Sequence, residues 1–262
     1  MLSEFWSVYL VGFGVVMALL TLVWAASIKL VNASIVDPFW GLGFVLLAVY
    51  YYFNSSGDPT RKLIVLITAI VWGLRLFAYL FWRNMGKPED YRYAQFRQHY
   101  GAERYWWFSF FQVFLLQGFL LWIISLPLLT AQYFGLSKSI GVLDILAIIL
   151  WIIGFMFEAG GDYQLVKFKA NPDNRGKVLD TGFWKYTRHP NYFGDACVWW
   201  SFALFAVAAG SYVAIISSVV MTILLLKVSG VSLLERALKK NKPAYEEYSR
   251  KTPSVFPWFP KK

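Results

Sequence analysis

Residues able to do chemistry are densest between 158 and 195, where the chain reads EAGGDYQLVKFKANPDNRGKVLDTGFWKYTRHPNYFGD. Glu158 and Asp162 stand one helical turn apart and so share a face. Carboxylates on successive turns repel each other unless something polar or cationic lies between them, which points to ligand contact. Asn191 and Asp195 repeat that spacing at the start of the next apolar stretch. Between the two pairs run Lys167, Lys169, Arg175 and Lys177, turns imposed by Asn171-Pro172-Asp173-Asn174 and Gly176, and then Arg188 and His189. Basic side chains beside turn backbone suit a phosphate-bearing cofactor. Neighbouring acids and amides accept from ribose hydroxyls or an adenine amino group. A loop that merely sets membrane orientation accounts for the Lys and Arg, but not for the Asp, Asn and His among them.

Other charged groups fall inside or beside apolar stretches: Asp37, Arg75, Lys227 and, two turns later, Glu235. Ionisable residues in a span are costly and mark functional sites. All of these map to one half of the membrane, which implies a cavity open on one side; an ion path would need polar groups through the full thickness. Asp37-Pro38 also has the form of a plain helix cap, and Arg75 has snorkelling or an ion pair with Asp37 or Glu158 as its structural alternative. Cys197 has no partner cysteine, and with His99 and His189 as the only histidines neither a zinc site nor a histidine-rich di-iron site is expected. Gly12-Phe13-Gly14 and Gly41-Leu42-Gly43 lie in apolar stretches and do not complete a dinucleotide-binding glycine motif.

The elements that hold these residues are membrane helices. The chain is 58% hydrophobic, 20% aromatic and 15% charged, where soluble domains carry about 25% charge. Stretches long enough to span recur near 5–26, 35–53, 63–82, 109–131, 140–162, 192–209 and 212–229, the last two short and joined at Gly210-Ser211. Glu4 and the length of the first stretch argue for a retained helix over a cleavable signal. Positive charge sets the orientation. One Lys lies in the first loop, five Lys or Arg in 83–108, six in 166–191 and nine from Lys227 onward, against Arg61, Lys62 and Lys138 on the other side. The expectation is an all-α integral membrane protein, a seven-transmembrane-helix bundle with its N-terminus outside and its C-terminus cytoplasmic. The net charge of +10 is then a topology signal, and no nucleic-acid partner is expected. Leu233, Leu234, Ala237 and Leu238 beside Lys239, Lys240 and Lys242 suggest an amphipathic surface helix in the tail.

Several of these residues carry a resemblance. Asp162-Tyr163, the 182–186 stretch and Arg188-His189-Pro190-Asn191-Tyr192-Phe193-Gly194-Asp195 resemble the C-terminal half of the membrane steroid 5α-reductases, as do Tyr245-x-x-Tyr248 and Pro257-Trp258-Phe259-Pro260. VDPFWG (Val36 to Gly41) and WGLRL (Trp72 to Leu76) are similar to motifs of their bacterial relatives. The Arg-His-Pro-x-Tyr-x-Gly element, Glu235 and the paired tyrosines also resemble the isoprenylcysteine carboxyl and phospholipid methyltransferases, which bind S-adenosylmethionine there. The N-terminal motifs and the number of spans favour the reductases.

That resemblance implies one membrane domain over 1–262. Helices one to four (1–134) would hold a lipophilic, steroid-like enone entering from the bilayer, and 135–262 would hold NADPH. The implied cofactor set is Glu158, Asp162, Lys169, Arg175, Arg188, His189, Asn191, Tyr192, Asp195, Lys227, Glu235 and Tyr248. Trp40 and Trp72 are the implied substrate contacts. Asp37 is the implied catalytic acid, protonated and donating to the carbonyl oxygen, and Arg75 an electrophile or cofactor anchor. The family uses a Gln-Glu pair and a Tyr at the carbonyl; here Val36-Asp37 and Trp72 stand roughly at those places. Membrane lipid is the other expected partner, and the host membrane is expected to be a bacterial inner membrane, or the endoplasmic reticulum in a eukaryote.

Overall fold

The computed structural model describes residues 2–135, 139–228, 231, 235 and 244–260. Regular structure among the described residues is helical, with no strand. Six helical stretches among them are long and apolar enough to cross a bilayer, which makes the chain a multi-pass integral membrane protein. They comprise α1 (Leu2–Leu30), a 3-10 turn (Ala33–Val36) leading into α2 (Phe39–Phe53), α3 (Pro59–Asn84), then, after the short polar α4 (Tyr91–Tyr100), the broken α5 (Ala102–Tyr133), α6 (Val142–Ala170) and α7 (Pro190–Ala209). Two shorter helices follow, α8 (Ile215–Lys227) and α9 (Ala244–Lys251).

The apolar stretches of the sequence locate these helices but understate them. Hydropathy marks only the lipid-facing length, while backbone bonding carries α3 on to Asn84 and α6 on to Ala170. The exception is the last stretch. Gly210 takes φ 99°, the chain turns at Val213–Ala214, and α8 begins at Ile215, three residues later than the stretch read from the sequence. The 83–108 loop holds α4, which the sequence reading left as loop. The predicted amphipathic helix around Leu233–Lys242, and Lys138, lie outside the described residues.

Two compact units emerge: Met1–Ile140 with Ala206–Ser211, and Gly141–Phe205 with Tyr212–Lys262. In the first, α2 and α3 meet at Gly41 and Gly73. A Cβ on Gly41 would lie 2.3 Å from the Gly73 carbonyl oxygen, and one on Gly73 would lie 2.6 Å from the Gly41 oxygen. Small residues of this kind let membrane helices touch backbone to backbone. The contact is one turn past Asp37, so it fixes where α2 begins. Pro127 breaks the bonding of α5, because it has no N–H to give; Leu128 and Leu129 restart the ladder on the Ser125 carbonyl.

In the second unit the close approach is Gly154 on α6 against Gly194 on α7. A Cβ at Gly194 would lie 2.4 Å from both the Glu158 nitrogen and the Gly154 oxygen. The hydroxyl of Ser218 donates to the Trp199 carbonyl at 2.8 Å, which ties α8 to α7.

Candidate active site

Acidic and amide groups of the second unit come together because of that glycine crossing. Glu158 and Asp162 are 3% and 4% exposed, and the Asn191 amide donates to Asp162 Oδ1 at 3.2 Å. One member of each i, i+4 pair read from the sequence thus meets the other across α6 and α7. The loop before α7 is seated on the same helix. The Trp184 indole donates to the Gly161 carbonyl at 3.0 Å, and Gln164 accepts from the Phe183 N–H at 3.0 Å. Gly182 makes that seat possible, since its backbone takes φ +60° directly against the Gln164 amide.

Arg188 takes a structural place. Its guanidinium donates to Glu235 Oε1 at 2.9 and 2.7 Å, to the Thr252 carbonyl at 3.0 Å and to the Ser249 carbonyl. Tyr248 donates to the Trp184 carbonyl, Thr187 Oγ1 to the Val255 carbonyl at 2.8 Å, and the Trp258 N–H to the Tyr186 carbonyl at 2.9 Å. Arg188, Glu235 and Tyr248, grouped by the sequence as cofactor contacts, thus bind one another's segments and strap the C-terminal tail to the 183–189 loop. Burial acts to raise the Glu235 carboxyl, but hydrogen bonds from His189 and Arg188 outweigh it and hold the group at about 2. Burial, aided by the Glu235 charge, pushes the Tyr245 phenol up to about 12.

His189 is 1% exposed and stacks on Tyr192 at 5.5 Å. Its Nε2 lies 3.2 Å from Glu235 Oε1, while its buried Nδ1 has no hydrogen-bond partner among the described residues. Asp195 and Tyr192 are half-buried, and Lys169, Arg175 and Lys227 are exposed.

A second cluster belongs to the first unit. Asp37 ends the 3-10 turn and makes no side-chain cap for α2. Its oxygens accept instead from the Tyr93 hydroxyl at 2.6 Å and from Arg92 at 3.3 Å. The Tyr93 oxygen accepts from the Gln117 amide at 3.1 Å, and Gln117 accepts from the Trp40 indole at 2.6 Å. Arg92 also bonds Asp90, the N-cap of α4, at 2.9 Å. Glu89 accepts from the Ala33 N–H and from both arms of the Arg97 fork, which pins α4 to the turn carrying Asp37. Burial first, then the charge of Asp37, pushes the Tyr93 phenol well above its ordinary value.

Sequence reasoning placed Asp37 and Trp40 but missed Tyr93, Arg92 and Gln117. The one available signal was Asp90 preceding Tyr91-Arg92-Tyr93, an N-cap opening a short helix. Arg75 lies over the Tyr79 ring at 5.3 Å, with Arg83 at 5.5 Å from the same ring; the guanidinium bonded to Asp37 is that of Arg92. Trp72 is fully buried against Phe44, their rings 5.8 Å apart.

Comparison with known proteins gives three relatives. An uncharacterised protein of Schizosaccharomyces pombe is 26% identical over 225 residues, 77% of this chain and 65% of that protein. A Delta(14)-sterol reductase of the same yeast is 32% identical over 102 residues, and a Delta(14)-sterol reductase of Ascobolus immersus 29% identical over 107. Those two matches cover 33% and 35% of this chain. The chain thus spans 65% of the length of the first relative and about a quarter of the two reductases. One family model, described as a protein of unknown function (DUF1295), matches residues 14–252, and by that match the chain belongs to the DUF1295 family.

Proposed function

We propose that this protein is a membrane reductase that adds a hydride from NADPH to the carbon–carbon double bond of a lipophilic enone, such as a Δ4-3-ketosteroid, delivered from the bilayer. The observation that carries this is the 2.6 Å contact between Tyr93 and Asp37, a phenol–acid pair at the start of an apolar helix. The sterol reductase similarity supports the same reaction class. In this reading the first unit takes the enone and the second the dinucleotide. Seven crossings, with the N-terminus outside and the C-terminus cytoplasmic, bring the dinucleotide from the cytosol of a bacterial cell, or of a eukaryotic cell with the protein in the endoplasmic reticulum.

Residues of the second unit fit a phosphorylated dinucleotide. Asp162 and Asn191 offer a carboxylate and an amide to ribose hydroxyls, His189 Nδ1 is a buried polar atom with no partner among the described residues, and Lys169 and Arg175 are exposed cations for phosphate. Arg188 is a positioning residue, since its donors already hold the tail. NADPH, when bound, supplies the hydride that adds at the β-carbon. Negative charge then gathers on the carbonyl oxygen, where a donor already aimed at it is worth most. In this reading Tyr93 becomes that donor: its O–H, given to Asp37 in the structure, turns to the substrate oxygen when a proton on Asp37 lets that acid donate to the Tyr93 oxygen, which Gln117 also holds. The enolate takes a proton from water at its α-carbon, leaving hydroxide that the solvent neutralises, so one hydride and one proton have added across the bond.

The test is NADPH oxidation by the reconstituted protein with a Δ4-3-ketosteroid and a Δ14-unsaturated sterol, alongside mass spectrometry of small molecules released on denaturation. Oxidation that requires the ketosteroid supports the reading, and oxidation with the Δ14-unsaturated sterol alone, which has no carbonyl for Tyr93 to polarise, would overturn the enone assignment. Release of S-adenosylmethionine or its demethylated product would overturn it and move the Arg188–Asp195 motif to methyl transfer.

A further inference from the structure

We propose that a cavity within the second unit is a lipid site holding one hydrocarbon chain of a bilayer phospholipid, independently of the reductase reading. The cavity measures about 310 Å³, at the small end of ligand pockets. Its wall follows α7 from Tyr192 to Leu204, about 18 Å of helix. Leu150 of α6, Thr222 of α8 and Phe256 of the tail line its other sides.

Two polar groups of this wall are turned to the protein itself. The Trp200 indole donates to Thr222 Oγ1 at 3.1 Å, and that hydroxyl donates to the Ser218 carbonyl at 2.7 Å. Water is held only where it finds two to four polar partners, and an apolar cavity without them takes an apolar guest. The ends of the cavity identify the guest. Phe256, Trp258 and Phe259 are 71%, 72% and 71% exposed, and exposed aromatics of this kind sit at headgroup level. The Tyr192–Phe256 end therefore lies at the interface, where the ester region of a phospholipid sits, and a chain entering there runs along α7 toward Leu204.

The experiment uses the full chain in detergent micelles with a trace of phospholipid carrying a photoactivatable group in mid-chain. After irradiation, labelled peptides are mapped by mass spectrometry. We expect label within 192–204 and 222–226, lost on adding excess unlabelled phospholipid, with exposed Leu10 and Leu22 of α1 as the bulk-contact control. Ala196→Phe, which fills the cavity, should remove the cavity label and leave the α1 label unchanged. Should that variant fail to fold, the wild-type chain suffices. Cys197 is the only cysteine and lines the cavity, so phospholipid should slow its alkylation by a membrane-permeant maleimide. Label spread evenly over exposed apolar faces, or alkylation indifferent to phospholipid, would overturn the assignment. So would label displaced by a Δ4-3-ketosteroid but not by phospholipid, which would give the cavity to the substrate.

Discussion

Tyr93 receives a hydrogen bond from a residue 24 positions away and shares one with an acid 56 positions away. Nothing local in the sequence announces that meeting. Asp37 was legible because a carboxylate at the head of an apolar stretch is costly wherever it lands; its partner was not, because a tyrosine in a polar loop costs nothing. The acids of α6 and Asp195 of α7 were legible for the same reason as Asp37, while the bonds that tie Arg188 to Glu235, Ser249 and Thr252 were not, since they join residues 47 to 64 positions apart. The two clusters predict different kinetic signatures. Tyr93→Phe and Asp37→Asn should lower kcat by roughly 10²–10³, the cost of losing one preorganised donor, with NADPH affinity near wild type. Asp162→Ala and Asn191→Ala should instead weaken NADPH roughly three- to ten-fold, the worth of one hydrogen bond. Single-turnover NADPH oxidation and cofactor titration on the same preparations separate the two effects. Unchanged turnover in Tyr93→Phe would remove the phenol from the reaction.

Helices were the most legible part of the chain, since lipid admits little else, but the contacts between them were not. A glycine in a membrane helix reads the same whether it faces lipid or another backbone. Gly14 has nothing within 4 Å of an added Cβ, whereas Gly194 has the backbone of α6 at 2.4 Å. Gly194→Ala should therefore destabilise by about 1–3 kcal/mol, as overpacking does, and Gly14→Ala should be neutral or slightly stabilising. Thermal unfolding in one detergent compares them directly. The strap between tail and loop carries its own prediction. Glu235 titrates at about 2, below its ordinary 4.5, so the stability it lends is whole above about pH 4.5 and is lost as pH falls toward 2. Replacing it as Glu235→Gln should lower stability at neutral pH and flatten that acid limb. Proteolysis of the tail across pH 2–5 reads the effect, and an acid limb identical in both proteins would remove Glu235 as its cause.

Six long helices leave both termini on one side of the membrane, and a seventh crossing separates them, so the topology of the whole molecule turns on α8. Two observations favour that crossing. Bonds from Arg188, Thr187 and Tyr186 to Ser249, Thr252, Val255 and Trp258 join the tail to the loop that precedes α7. If α7 crosses, the chain must return across the membrane after Ala209 for the tail to reach that loop, and α8 is the apolar helix described there. The charge distribution agrees, because the nine basic residues from Lys227 onward then share a side with the basic 83–108 and 166–191 segments. In a Cys197→Ala background, an impermeant maleimide applied from outside should label Ser3→Cys, Ser56→Cys and Tyr212→Cys but leave Asp173→Cys and Glu247→Cys until the membrane is opened. Glu247→Cys labelled together with Tyr212→Cys would mean that α8 lies on the surface. Asp173→Cys labelled from outside in intact cells would invert the whole assignment, and with it the side from which a dinucleotide reaches Asp162 and Asn191.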